Sequence, residues 1–135
     1  MLFKINDALV NLDEVKYFTI DDCYIEDFGP DMYVLRCVSK SSNVEEAEYL
    51  MQAFTKEELV EIWEELKTYK CMFYEITPDI LINLKNISSI QNTELGLKIT
   101  FTDEKISDNN LVIYSYQEES PENIDKVLEE IRKLS

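Results

Sequence analysis

The hydrophobic positions of this chain repeat, and the clearest repeat is a pair of amphipathic helices. Apolar residues recur at intervals of three and four residues in both segments, which places them on one helix face. The first stripe consists of Leu59, Ile62, Trp63, Leu66 and Tyr69, and the second, at a constant offset, of Ile124, Val127, Leu128, Ile131 and Leu134. Thr55 and Glu58 form a capping-box pattern before the first stripe, and the Ser120-Pro121 pair is a typical helix start before the second. We therefore expect two helices, each with its stripe in a core.

Strand patterns precede each helix, and they also match between the two halves of the chain. The first matching blocks are Val10-Asn11-Leu12 and, 72 residues later, Ile82-Asn83-Leu84. The second are the alternating sets Tyr33, Leu35 and Cys37 and, at an offset of 64, Leu97, Ile99 and Phe101. Alternation with a period of two is typical of a half-buried strand. Further strand patterns over 47–54 and 111–116 lead into the helices.

These repeats predict an α+β protein made by tandem duplication of a unit of short antiparallel strands followed by one amphipathic helix. The first predicted unit covers 1–72 and the second covers 73–135. A unit of this size buries only about 60% of its chain surface, so it is marginal alone. The connection over 69–73 is apolar and contains no Gly, Ser or Pro, unlike a flexible linker. We therefore expect the units to pack as a pseudo-twofold pair in one compact body.

The two predicted units differ at an acidic insertion over 21–31. The offset between the halves falls from 72 to 64 there, so the first unit carries about eight extra residues. The candidate binding residues of this insertion are Asp21, Asp22, Tyr24, Glu26, Asp27, Phe28 and Asp31. Three interpretations remain open: a solvated hairpin loop, a protein-contact loop anchored by its aromatic residues, or a site for a hard cation such as Ca²⁺ or Mg²⁺.

The exposed face of the first helix is also acidic. Its candidate binding residues are Glu57, Glu61, Glu64 and Glu65. Like charges one helical turn apart repel each other by about 0.2–0.5 kcal/mol per pair, and the last three are expected beyond the first turn, where the helix dipole favours acids. The second helix instead neutralises its face with two i, i+4 pairs, Glu122 with Lys126 and Glu129 with Lys133. The acidic face is either kept for solubility or replaces phosphates in a basic groove.

Composition narrows the possible functions. The chain has 135 residues, with 28 acidic against 13 basic side chains and a formal net charge of −15. This charge repels phosphates and anionic lipid heads, so we expect no direct binding to nucleic acid or to a membrane. The same charge accelerates encounter with a basic protein surface.

Several kinds of active site are also disfavoured. The two glycines, Gly29 and Gly96, are too far apart for a phosphate-binding loop. The chain has no histidine, which removes the commonest general base and metal ligand. The three cysteines contain no CxxC pair, which predicts neither a disulfide framework nor a zinc site. The N-terminus lacks an apolar leader, so we expect a cytoplasmic location.

The sequence therefore predicts a non-enzymatic, acidic protein-binding module without a cofactor or a bound metal. We expect its partner to be a basic, nucleic-acid-binding protein whose groove the acidic residues occupy, as small phage-type inhibitors of nucleases or defence systems do. Tyr24 and Phe28 would supply short-range specificity. The alternative is a structural or adaptor protein that binds through a sheet edge or an apolar interface, with the acidity serving solubility only.

Overall fold

The computed structural model describes residues 2–23, 32–40, 47–70, 72–102, 110–114 and 123–134. Within these residues the chain has mixed α+β structure, as predicted, with ten strands in three antiparallel sheets. The strands are β1 (Leu2–Ile5), β2 (Ala8–Asn11), β3 (Val15–Cys23), β4 (Met32–Ser39), β5 (Glu48–Ala53), β6 (Phe73–Thr77), β7 (Ile80–Asn83), β8 (Ile87–Thr93), β9 (Gly96–Phe101) and β10 (Asn110–Tyr114). The α-helices are α1 (Val60–Thr68) and α2 (Ile124–Leu134).

The order of elements over 2–68 recurs over 73–134. Each part starts with a hairpin, β1–β2 or β6–β7, continues through a 3-10 turn into three antiparallel strands, and ends in a helix. An asparagine precedes each 3-10 turn and accepts a backbone hydrogen bond in the same way. The distance from Asp13 N to Asn11 Oδ1 is 3.2 Å, and that from Lys85 N to Asn83 Oδ1 is 3.0 Å. The sequence repeat at these asparagines thus coincides with a repeat of local structure.

Strand registers correct the predicted offset between the two parts. The β3–β4 pair has an irregularity between Val15 and Tyr17, and the β8–β9 pair has one at the corresponding place, between Ile87 and Ser89. In these registers Ser39 takes the place of Phe101, at an offset of 62 instead of the predicted 64. The first of these hairpins is therefore ten residues longer than the second, not about eight.

One sheet joins strands from both parts of the chain, in the order β5-β4-β3-β7-β6. Its junction is the antiparallel pairing of β3 with β7, in which Phe18 lies opposite Leu81. The amide of Ile20 continues this junction by donating to the carbonyl of Asp79, at 3.0 Å. The other two sheets are the β1–β2 hairpin and the three strands β10-β9-β8.

The five-stranded sheet separates two hydrophobic clusters, which we call core 1 and core 2. Neighbouring residues on a strand point to opposite faces, and on β3 Phe18 lies in core 1 whereas Tyr17 lies in core 2. On β4, Cys37 and Val38 divide in the same way. The prediction that β4 is half-buried is therefore wrong, because both of its faces are covered.

The two helices cover the cores unequally. Trp63 and Leu66 of α1 are buried in core 1, as the stripe predicts. In α2 only Ile131 is buried among the stripe residues, and Leu134 is 53% exposed, so its predicted core position is wrong. The described helix begins at Ile124, with the Asn123 side chain accepting from the amide of Lys126 at 3.1 Å. The Ser120-Pro121 pair lies outside the described residues.

A 3-10 turn over Lys56–Leu59 leads into α1. The carboxylate of Glu58 accepts from the backbone amides of Thr55, at 3.0 Å, and Phe54, at 2.8 Å. The acidic half of the predicted capping box is thus present. It fixes where the chain turns from β5 into the helix that carries the acidic face.

Candidate functional site

The first candidate residues lie at the end of β3, where the acidic insertion begins. Asp21 is half-buried, and its carboxylate accepts from Arg36 Nη1 at 2.8 Å and from the hydroxyl of Thr19 at 3.3 Å. Asp22 is exposed. The other candidates of the insertion lie outside the described residues, namely Tyr24, Glu26, Asp27, Phe28 and Asp31.

A cleft of about 300 Å³ opens beside these two aspartates. Its lining residues are three aspartates, two threonines and three isoleucines: Asp21, Asp22, Asp79, Thr19, Thr77, Ile20, Ile80 and Ile113. The cleft exists because β7 pairs with β3, which brings the turn between β6 and β7 to the end of β3. Sequence reasoning missed Asp79, since Pro78-Asp79 has only the composition of an ordinary turn.

The second group of candidates lies on α1 and the turn before it. Glu57, Glu61, Glu64 and Glu65 are all exposed. Glu61 lies in the first turn of α1, so the expectation that it falls outside the favourable part of the helix dipole is wrong. Glu64 and Glu65 do lie beyond that turn.

Only one of these glutamates has a basic partner among the described residues. Glu64 lies 3.5 Å from Lys67 Nζ, and the same ammonium lies 3.2 Å from Glu75. The hydrogen bond to Glu75 is the main cause of the raised pKa of Lys67, so this lysine stays charged. Within the described part of the chain, no lysine or arginine pairs with Glu57, Glu61 or Glu65. Their charges are therefore presented to solvent.

An ion pair connects the cleft to the acidic helix. Lys56, the first residue of the 3-10 turn, contacts the carboxylate of Asp79. Glu57 follows directly in the chain. The contact between Lys56 and Asp79 thus links the two groups of candidates, which were predicted separately. We call the combined set the acidic surface; it consists of Asp21, Asp22, Asp79, Glu57, Glu61, Glu64 and Glu65.

The Cys37 thiol and the Tyr74 hydroxyl, both away from the acidic surface, have clearly raised pKa values. Burial, followed by the charge of Glu48, raises the pKa of the Cys37 thiol to about 12. Burial and a hydrogen bond of 2.6 Å from its hydroxyl to Glu130 raise the pKa of Tyr74 to about 12. Both groups are therefore protonated at neutral pH, and Cys37 faces core 1.

Across the described residues, no three carboxylate or thiol side chains are arranged to hold a metal ion. The predicted hard-cation alternative concerned the insertion, most of which lies outside those residues. No helix in the described part of the chain is long and apolar enough to cross a membrane. Comparison of the chain with protein-family models, curated proteins and solved structures found no match.

Proposed function

We propose that this protein is a non-catalytic binding module that engages a basic protein through its acidic surface. The partner is a nucleic-acid-binding protein, and the carboxylates occupy the groove that otherwise holds phosphates. The observation that carries the proposal is the set of exposed glutamates without a basic partner among the described residues, Glu57, Glu61 and Glu65, close to a cleft lined by three aspartates. Such a surface attracts lysine and arginine side chains over long range and speeds association.

The difference between the two helices supports a binding role over solubility alone. On α2 the three acidic residues are balanced by Lys126, Arg132 and Lys133, and Glu129 lies 3.3 Å from Arg132 instead of pairing with Lys133 as predicted. Each helix has an internal ion pair, but α1 has three glutamates and Lys67 as its single basic residue. On α1, Glu61 and Glu65 are one turn apart and repel each other by about 0.2–0.5 kcal/mol. Solubility needs charge but does not need like charges in register. An arrangement that lowers the stability of its own helix is expected where a partner supplies the missing positive charge.

Capture from a nuclease-treated lysate tests this proposal. The bait proteins are the wild type, a triple variant with Glu57→Gln, Glu61→Gln and Glu65→Gln, and a control with Asp7→Asn, Glu14→Gln and Glu94→Gln. The control residues are exposed acids outside the acidic surface, and both variants change the net charge by the same amount.

We expect the wild type and the control to retain a nucleic-acid-binding protein that an added oligonucleotide displaces. Its affinity should fall steeply with salt, and the triple variant should bind it about tenfold more weakly. Equal retention by all three baits at high salt would show that the acidic surface is not the binding site. Binding that the oligonucleotide does not affect would exclude competition with nucleic acid.

We also infer that the two parts of the chain derive from a tandem duplication. The inference is supported by the repeated order of elements, by the strand irregularities at Val15 and Ile87, and by the identical capping of two 3-10 turns by Asn11 and Asn83. A closed pseudo-twofold pair would need β8 to pair with β2 as β3 pairs with β7. Among the described strands that second pairing is absent. We therefore propose a tandem duplication in which one of the two equivalent pairings, that of β3 with β7, forms within the chain.

A further inference from the structure

The hairpins β1–β2 and β6–β7 correspond over three residue pairs, before an irregularity between Glu75 and Thr77 in the second, but they have different surroundings. Residues directly opposite each other on two paired strands share one face of a hairpin. We call the four residues of that face in each hairpin its docking face. Docking face 1 is Leu2 opposite Asn11 and Lys4 opposite Leu9, and docking face 2 is Phe73 opposite Asn83 and Glu75 opposite Leu81.

The apolar residues of docking face 2 are buried against the first part of the chain. Phe73 and Leu81 lie in core 1, which is otherwise formed almost entirely by residues before position 70. The ring of Phe73 packs edge-on against Phe18, with 5.2 Å between centroids. The pairing of β7 with β3 runs alongside this contact.

The polar residues of docking face 2 are bonded to the same neighbour. Glu75 accepts from Trp63 Nε1 at 2.9 Å and pairs with Lys67. The side-chain amide of Asn83 donates to the carbonyls of Leu12, at 3.1 Å, and Val15, at 2.8 Å. All four residues of docking face 2 therefore hold the internal junction together.

Docking face 1 is the unburied counterpart. Leu2 is 61% exposed and Leu9 is 65% exposed, and Lys4 and Asn11 are exposed as well. Covering these two leucines would remove apolar surface from water, which favours a contact at this face. Among the described residues, β2 pairs only with β1, so its outer edge is open.

The second part of the chain also has an open counterpart of the surface that receives docking face 2. A groove of about 370 Å³ lies between β8 and α2, lined by Arg132 and by five apolar residues, Leu84, Ile87, Ile90, Leu128 and Ile131. The residues at the same places in the first part are buried in core 1 beneath Phe73 and Leu81, namely Leu12, Val15, Phe18, Trp63 and Leu66. Within the described strands β8 pairs only with β9, so an open sheet edge borders the groove.

We propose that a second copy of this chain docks its β1–β2 hairpin into this groove and repeats between chains the internal junction of β7 with β3. Leu2 and Leu9 then take the places of Phe73 and Leu81. The expected register puts Leu9 of β2 opposite Ile90 of β8. Because the docking face and the groove are different surfaces, the contact is head-to-tail and extends into short chains of molecules. It uses residues outside the acidic surface.

One charge makes this contact weaker than the internal junction. Lys4 stands where docking face 2 has Glu75, and Arg132 stands where the first helix has Lys67. Like charges therefore meet where the internal junction has a salt bridge. We expect association that depends on concentration, and we expect Lys4→Glu to tighten it by about two- to tenfold.

Sedimentation velocity over a range of concentrations tests the proposal with a complementation design. Leu9→Ser removes the docking leucine, and Ile90→Lys places a charge in the groove. We expect each variant alone to be monomeric, with affinity reduced about tenfold or more. An equimolar mixture should form a dimer that does not grow further, because one intact docking face still meets one intact groove.

Phe54→Ser is the matched control, since Phe54 is 67% exposed and lies on neither surface. The triple variant of the acidic surface should also associate like the wild type, which separates this proposal from the proposed function. If Ile90→Lys lowers the melting temperature, Leu128→Gln replaces it. A wild type that stays monomeric at millimolar concentration, a Leu9→Ser variant that associates normally, or a mixture that fails to dimerise would each overturn the proposal.

Discussion

Two asparagines at equivalent positions, Asn11 and Asn83, differ in burial and in the hydrogen bonds that their side chains make. Asn11 and Asn83 both accept a hydrogen bond from the 3-10 turn that follows them. Asn83 is fully buried, whereas Asn11 is exposed. Asn83 bridges the two parts of the chain through its hydrogen bonds to the carbonyls of Leu12 and Val15, and the nearby Asn86 does so through those of Asp13 and Val15. The local role is the same, and Asn83 adds buried hydrogen bonds to the other part of the chain.

We therefore expect Asn83→Ala to lower the free energy of unfolding far more than Asn11→Ala. The first substitution removes two buried hydrogen bonds, to the carbonyls of Leu12 and Val15, which costs about 1–3 kcal/mol in addition to the lost cap. The second removes an exposed cap and should cost about 1 kcal/mol or less. Urea unfolding of both variants measures the difference. Equal losses would mean that the bridge from Asn83 contributes nothing to stability.

At the scale of elements, α1 carries a like-charge repulsion that one substitution can relieve. Glu65→Lys replaces the repulsion with Glu61 by an attractive i, i+4 pair in the favourable orientation. It also places a cation near the C-terminal end of the helix, where the dipole favours it.

We expect Glu65→Lys to raise the free energy of unfolding by about 0.5–1 kcal/mol at low ionic strength. The gain should shrink in high salt, which screens exposed charges. Urea unfolding at two salt concentrations measures both effects. Glu94→Lys is the control, because Glu94 is exposed in the turn between β8 and β9. An unchanged or lowered stability of the Glu65 variant would show that the acidic face carries no strain.

Local sequence patterns predicted most of the helices and strands. They did not predict which strands from distant parts of the chain pair with each other. The apolar stripes located both helices, and period-two alternation located β4 and β9, because these signals depend only on nearby residues. The junction of β3 with β7 depends on the choice of partner for each strand edge, and no sequence pattern near either strand indicates that choice. For that reason Asp79 was missed, although it lines the same cleft as Asp21.

At the scale of the whole molecule, the two parts of the chain share their cores. Phe73 and Leu81 of the second part lie in core 1, and Tyr17 and Val38 of the first part lie in core 2. The shared sheet runs between the two cores. Neither part can therefore lose its structure without uncovering apolar surface of the other, which makes a single cooperative transition the expected behaviour.

Leu81→Ala tests this coupling, because Leu81 belongs to the second part by sequence and to core 1 by contact. We expect a loss of about 2–5 kcal/mol in the free energy of unfolding, as for other fully buried leucines. Leu9→Ala, at the corresponding exposed position, should change it by about 0.5 kcal/mol or less.

The coupling itself is tested by the urea midpoints of two probes. Trp63 fluorescence reports the unfolding of core 1, and the methyl NMR signal of Ile99 reports that of core 2. Both should shift together to lower urea in Leu81→Ala, because removing a contact in core 1 destabilises a sheet that core 2 also needs. A shift of the Trp63 transition alone would instead mean that the two parts unfold independently and that β3 and β7 separate before either core opens.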